Sequence, residues 1–186
     1  MIIGFGLFCF GNLKAQNNEG DILKLHIGVL NKIKLTYEHP ISDAFSFGGS
    51  AAYYYGSIPG VKIEPLVRFY IGGEAPSGLY LQARYIYGSF NTNFTYWRGG
   101  IESGIDFIDK KKTVSSMGGG LDLGYQWLSG RDKNIAIDFS LGVQFMQDLN
   151  NTIVDSGKEY TSANVGFLTT GPGAIFNPRL SIGYKF

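Results

Sequence analysis

Cysteine, histidine and charge are all scarce in this chain of 186 residues. A single cysteine, Cys9, excludes a disulfide-stapled scaffold, and with His26 and His39 as the only histidines no donor set stands at metal-ligand spacing. No metal site and no cofactor are therefore expected. Charged residues make up 17%, with 16 Lys plus Arg against 15 Asp plus Glu, so no basic field exists to attract nucleic acid. Disorder is excluded too, because it needs low hydrophobicity and high net charge, and 44% of these residues are hydrophobic. Long apolar runs are missing beyond the N-terminus. Two stretches without Asp, Glu, Lys or Arg, Ala44 to Val61 and Tyr160 to Pro178, are broken by Gly48, Gly49, Ser50 and Pro59 and by Asn164, Gly171, Pro172 and Gly173. Neither reads as a membrane helix.

The one apolar run, Ile2 to Phe10, has the length of a signal peptide's core and is followed by Gly11, Asn12, Leu13, Lys14 and Ala15 before polar Gln16. It predicts a secretory signal over residues 1–15, cut after Ala15, and a single domain over residues 16–186. A membrane anchor would need about 20 apolar residues. A lipoprotein would need small residues before Cys9, where Leu7 and Phe8 stand. Removing 1–15 takes away Cys9 and Lys14 and no acid, so the mature domain is thiol-free and electrically neutral, as suits an oxidising compartment.

What the chain has in plenty is glycine (27), phenylalanine (14), tyrosine (12) and alternation with period two, which marks strands with one apolar and one polar or small face. Leu23, Leu25, Ile27 and Val29 alternate with Lys24, His26 and Gly28, and Ile33, Leu35 and Tyr37 with Lys34, Thr36 and Glu38. The same pattern recurs from Phe45 to Tyr53, Val61 to Ile71, Leu79 to Gly88, Gly120 to Trp127, Ile135 to Phe145 and Phe176 to Phe186. Eight strands result, with no helical stretch. The connections at His39–Asp43, Gly72–Ser77 and Ser129–Lys133 are short. Those at the other end include a tight link near Asn31, a modest one at Gly56–Gly60, and two long loops, Ser89–Thr113 and Asp148–Gly173. Short turns on one side and long loops on the other are the layout of an outer-membrane barrel.

A soluble lipocalin-like barrel has the same period with its faces exchanged, and three features decide against it. The polar face alternates glycine and serine gaps with a few charges, which suits a narrow lumen shared by long side chains. Aromatics on the apolar face gather near strand ends, Tyr37, Phe45, Phe69, Tyr125, Trp127 and Tyr184 at the turn end and Tyr53, Tyr85, Tyr87 and Phe145 at the loop end, as interfacial girdles do. The sequence also ends within the last strand, at Phe186. The expected fold is all-β: an eight-stranded antiparallel up-and-down transmembrane β-barrel with a polar, side-chain-filled lumen.

Leu180, Ile182, Tyr184 and the terminal Phe186 resemble the C-terminal signal by which outer-membrane barrels of Gram-negative bacteria are recognised for assembly. With the eight strands, residues 16–186 resemble the small OmpA- and OmpX-like barrels. The segment Ile63 to Tyr87, with Glu64, Pro65, Arg68, Tyr70, Ala75, Pro76, Ser77, Gly78 and Tyr80, is more narrowly similar to an uncharacterised barrel family of Bacteroidota. The resemblance implies the outer membrane as location, with membrane lipid and the assembly machinery as partners, and implies no activity.

Candidate chemistry is confined to the lumen and loops. Counted from the turn end, Arg68, Gln82, Arg84, Asp122 and Asp138 fall at similar depth on consecutive strands, with Glu64 a little higher. They are expected to form a structural charge network that plugs the lumen, since an isolated buried ion costs several kcal/mol. His26 faces the lumen, where barrel closure could bring it near Ser181 with Asp138 or Asp122 behind, a nucleophile arrangement weighed against one polar residue among many. Gly118, Gly119, Gly120 and Gly124 resemble a phosphate loop but lie in a strand and lack the following Lys and helix. Lys110, Lys111 and Lys112 read as a solvated or headgroup-facing rim. Three functions follow: an interaction barrel whose loop residues Asn91, Asn93, Phe94, Tyr96 and Trp97 meet a surface protein or glycan, a lipid-modifying enzyme, and a conduit for small apolar molecules. The second needs a His and a Ser facing lipid and the third an apolar lumen, so the first, with no catalytic residues, is expected.

Overall fold

The computed structural model describes residues 20–28, 32–56, 58–98, 106–148 and 172–186, with the side chains of 27–28, 92–98, 106–112 and 148 left aside. The expected signal peptide, residues 1–15, and most of the loop Asp148–Gly173 lie outside this set. Eight strands form in chain order: β1 (Ile22–Gly28), β2 (Lys32–Pro40), β3 (Phe45–Tyr54), β4 (Gly60–Tyr70), β5 (Gly78–Arg98), β6 (Asp106–Ser129), β7 (Ile135–Asp148) and β8 (Arg179–Lys185). Each pairs antiparallel with its sequence neighbours, and β8 returns to β1 through Ile22↔Lys185 to Leu25↔Ile182, closing the barrel. Closure leaves the barrel wall itself without a free edge strand.

Alternation is realised strictly, with β3 and β4 switching face at almost every residue. Along the described wall of β1 to β7 the odd-numbered residues point outward and are mostly apolar, and on β8 the even-numbered Leu180, Ile182 and Tyr184 do so. Leu121 is 65% exposed and Ile63 56%, whereas Lys24, Lys62, Glu38 and Glu64 lie at 2% or less. The expected girdle aromatics all sit on this outer wall. Phe45 packs on Phe69 with ring centroids 5.1 Å apart, and Tyr125 on Trp127 at 4.4 Å. From Phe45 to Tyr53 is about 27 Å along the strand, or about 21 Å of height at the usual tilt, which matches the apolar band of a membrane barrel.

Three strands, β5, β6 and β8, depart most from the expected boundaries. The predicted loop Ser89–Thr113 is largely strand, because β5 and β6 stay paired from Gly78↔Gln126 to Arg98↔Asp106. On either side, β4 pairs with β5 only as far as Gly60↔Phe90, and β7 with β6 only to Ser116↔Asp148. A two-stranded ribbon therefore projects past the barrel mouth, where the sequence carries no sustained apolar alternation to mark a strand. The last strand begins at Arg179 instead of Phe176. Pro178 offers no N–H to the ladder, and Phe176 reaches β7 only through an isolated bridge to Val143.

The turn end is compact. In the β6–β7 turn Gly130 takes φ +92° and Lys133 φ +52°, the left-handed conformations a tight reversal requires. Where the chain enters β1, Asp21 accepts a hydrogen bond from the Tyr37 hydroxyl at 2.5 Å and faces His39 Nδ1 at 2.6 Å. Those two contacts, His39 first, hold the Asp21 carboxyl below its ordinary pKa.

Candidate functional site

Within the barrel wall, even-numbered positions on β1 to β7 and odd-numbered ones on β8 send their side chains into a lumen too narrow to hold water in bulk, so each charge there must find a partner. At the turn end Lys24 Nζ lies 2.6 Å from Glu38 Oε2 and 2.8 Å from Asp138 Oδ2. Arg68 reaches the same two carboxylates, Nη1 to Glu38 Oε2 at 2.9 Å and Nη2 to Asp138 Oδ2 at 2.8 Å. The remaining carboxylate oxygens accept hydroxyl donors: Ser46 at 2.6 Å and Tyr70 at 2.5 Å on Glu38 Oε1, and Tyr80 at 2.5 Å on Asp138 Oδ1. Arg68 also lies over the Tyr80 ring, 4.1 Å from its centroid, and donates to Gln82 and Gln126. Two cations and two anions with nearly every lone pair used make this tier self-contained.

A second tier lies towards the mouth. Glu64 is shared by Arg84 (2.8 Å) and Lys62 (2.9 Å) on Oε1, and by Lys34 and Ser50 on Oε2. Asp122 Oδ2 accepts from Arg84 Nε at 2.9 Å and from Gln82 Nε2 at 2.8 Å, and Arg179 Nη2 stands 2.5 Å away. Gln82 thus joins the tiers, since its Oε1 takes the Arg68 Nε–H while its amide donates to Asp122.

Of the residues singled out in the sequence, the structure brings together Arg68 with Asp138, Arg84 with Asp122, and Arg84 with Glu64. It does not put them at one depth. Arg68 is opposite Gln82, whereas Arg84 is opposite Leu66, two residues nearer the mouth. Asp138 is opposite Gln126, four residues from Gly142, the partner of Asp122. Strand tilt and shear shift height from strand to strand, so counting from the turns misplaces the levels. Sequence reasoning passed over Lys24, Glu38, Lys34, Lys62 and Arg179 as partners. All five lie on the polar face, so parity alone was the signal that could have found them.

Glycine makes room for these long side chains. A Cβ on Gly120 would lie 2.8 Å from the Arg84 guanidinium, one on Gly124 2.4 Å from the Tyr80 ring, and one on Gly142 1.9 Å from Asp122 Oδ1. Gly120 and Gly124 therefore serve packing, with no phosphate-loop geometry. Replacing Gly142 with Ala should cost about 1–3 kcal/mol by overpacking, because Asp122 cannot retreat without leaving Arg84 and Gln82. The control is Gly49→Ala, whose Cβ would meet only Glu64 O at 3.8 Å and should stay within about 0.5 kcal/mol. Urea midpoints of the two variants check the difference.

His26 is buried, and its Nδ1–H donates to Leu180 O at 2.5 Å. No hydrogen bond joins it to Ser181 or a carboxylate among the described residues, and Asp138 and Asp122 are held by cations, so the nucleophile arrangement does not assemble. Above the charged tiers Ala52, Tyr54, Ile86, Phe90 and Met146 form an apolar plug with Ile58 against it, and below them Tyr70, Tyr80 and Ala75 form another. Gln126 donates to Pro76 O at 2.6 Å and Gln144 to Pro172 O at 2.8 Å, tying connecting segments across the two ends. No group of three His, Cys, Asp or Glu residues able to hold a metal gathers among the described residues.

Interior and wall together define the class: a closed eight-stranded antiparallel barrel, inverted relative to a soluble one, with its charges inside and its apolar side chains outside. No family model matches the chain, and no curated protein matches it in sequence. Among solved structures it is similar to the N-terminal β-barrel domain of Pseudomonas aeruginosa OprF, with TM-score 0.45 and 14% identity over 91% of this chain and 98% of that one.

Proposed function

We propose that the chain is an integral outer-membrane barrel with a structural or interaction role exercised at its mouth, without catalysis and without an open pore. The observation that carries this reading is the inversion of burial. An exterior of Leu, Ile, Val, Phe and Tyr all round a closed barrel far exceeds the apolar patch of roughly 300–600 Å² that a soluble monomer tolerates. Only closed barrels and helices cross lipid, and the barrel form belongs to outer membranes. The absence of a pore rests on the two charged tiers with apolar plugs above and below them. The interaction role rests on the β5–β6 ribbon, which carries Asn91, Asn93, Phe94, Tyr96 and Trp97 beyond the wall towards a surface protein or glycan. Lys110, Lys111 and Lys112 lie on the same ribbon, across from Phe94, Asn93 and Thr92. Membrane lipid and, through Leu180, Ile182, Tyr184 and Phe186, the assembly machinery are the remaining partners.

In detergent the protein should give an almost wholly β circular dichroism spectrum and run faster on a gel unheated than boiled. An epitope inserted between Arg98 and Asp106 should bind antibody on intact cells. Solubility without detergent, or an epitope reached only after the cells are opened, would overturn the reading.

A further inference from the structure

The two charged tiers are not equally balanced. The lower one sets Lys24 and Arg68 against Glu38 and Asp138. Among the described side chains, the upper one sets Lys34, Lys62, Arg84 and Arg179 against Glu64 and Asp122, all ten of these groups being buried. Half-buried Lys32 adjoins the upper set, bonded to Asn177 Oδ1 at 3.3 Å. Lys62 and Arg179 both lie within electrostatic reach of Lys32 and of Lys34.

Hydrogen bonding shows the same deficit. Glu64 is shared by Lys34, Lys62 and Arg84, of which Arg84 alone also reaches Asp122. Lys62 otherwise has only a long contact to Gln144 at 3.4 Å and the Tyr54 ring at 5.7 Å. Arg179, 7% exposed, is ion-paired through Nη2 to Asp122 Oδ2 at 2.5 Å, yet neither its Nε nor its Nη2 makes a hydrogen bond. Ser116 Oγ, fully buried on β6, is unpartnered as well. Surplus donors and surplus positive charge coincide in a space closed above by the Tyr54 and Phe90 plug.

We propose that the upper lumen is an anion site, taking one small inorganic anion among Lys34, Lys62 and Arg179, with Lys32 at its outer edge. Such an ion supplies the missing negative charge and an acceptor for donors that water does not reach.

The test is thermal unfolding of the whole barrel in zwitterionic detergent at fixed ionic strength, with bulky gluconate replaced stepwise by chloride or, separately, by phosphate. The melting temperature should rise by about 3–5 °C per tenfold increase in the small anion once the site fills. Lys62→Met and Arg179→Met should each flatten that response. Lys62→Met should in addition be at least as stable as the parent in gluconate alone, since it removes one surplus positive charge while Glu64 keeps Lys34 and Arg84. A parent that melts identically in all three anions, or variants that keep the full response, would overturn the site. The unheated gel shift should persist throughout, which separates loss of the anion site from loss of the barrel.

Discussion

Replacing Arg68 with Met is expected to destabilise the folded barrel by about 3–5 kcal/mol, because it strips one buried cation from Glu38 and Asp138 at once. Lys24 touches both carboxylates and holds the loss towards the lower end of that range. Arg68→Lys should rescue little: an ammonium cannot span Glu38, Asp138 and Gln82 together as the guanidinium fork does. Joint replacement of Arg68 and Asp138 with neutral residues should cost less than the two single changes added, by about 0.5–3 kcal/mol of coupling. Arg84 and Asp122 should behave alike. Arg68 and Asp122, which meet only through Gln82, should couple more weakly. Urea titrations in lipid vesicles give these numbers, and strictly additive losses would show the charges to be separately hydrated.

Changing Tyr184 and Phe186 together to Ser is expected to abolish insertion in the cell while leaving the purified chain able to fold. β8 has only seven residues, yet it closes the barrel, with Tyr184 opposite both Leu23 and Ile135 and the Phe186 N–H donating to Asp21 O at 2.9 Å. Those backbone bonds survive the substitution. Both rings point outward, Tyr184 55% and Phe186 66% exposed, so truncating them removes little packing within the barrel. The variant should therefore refold into vesicles with a normal unheated gel shift and yet collect in the periplasm when expressed. Normal outer-membrane levels would refute an assembly role for these residues. Failure to refold as well would move their contribution from recognition to stability.

Much of the architecture is legible in single residues. Leu23 to Ile27, Phe45 to Tyr53 and Ile135 to Phe145 show strict alternation, which a strand with unlike faces imposes, and the short turns at Ser129–Lys133 and Gly72–Ser77 give the up-and-down order. The ribbon of β5 and β6 escaped because Asn91 to Arg98 and Asp106 to Thr113, though paired through backbone, carry no sustained apolar and polar alternation in sequence. The candidate network was legible in part: Arg68, Arg84, Asp122 and Asp138 stood out as charges on the inner face, whereas Lys24 and Glu38, with equally inward parity, did not.

The sequence by itself determined that eight strands form and which face of each is apolar, because both follow from residues one or two apart. Only the tertiary structure decided that Lys24 meets Asp138 across 114 residues, that Arg68 takes Asp138 and Arg84 takes Asp122, and that cations outnumber anions among the described side chains of the upper tier. Those pairings depend on the tilt and stagger of all eight strands at closure. That is a collective property of the barrel, carried by no local stretch of the chain.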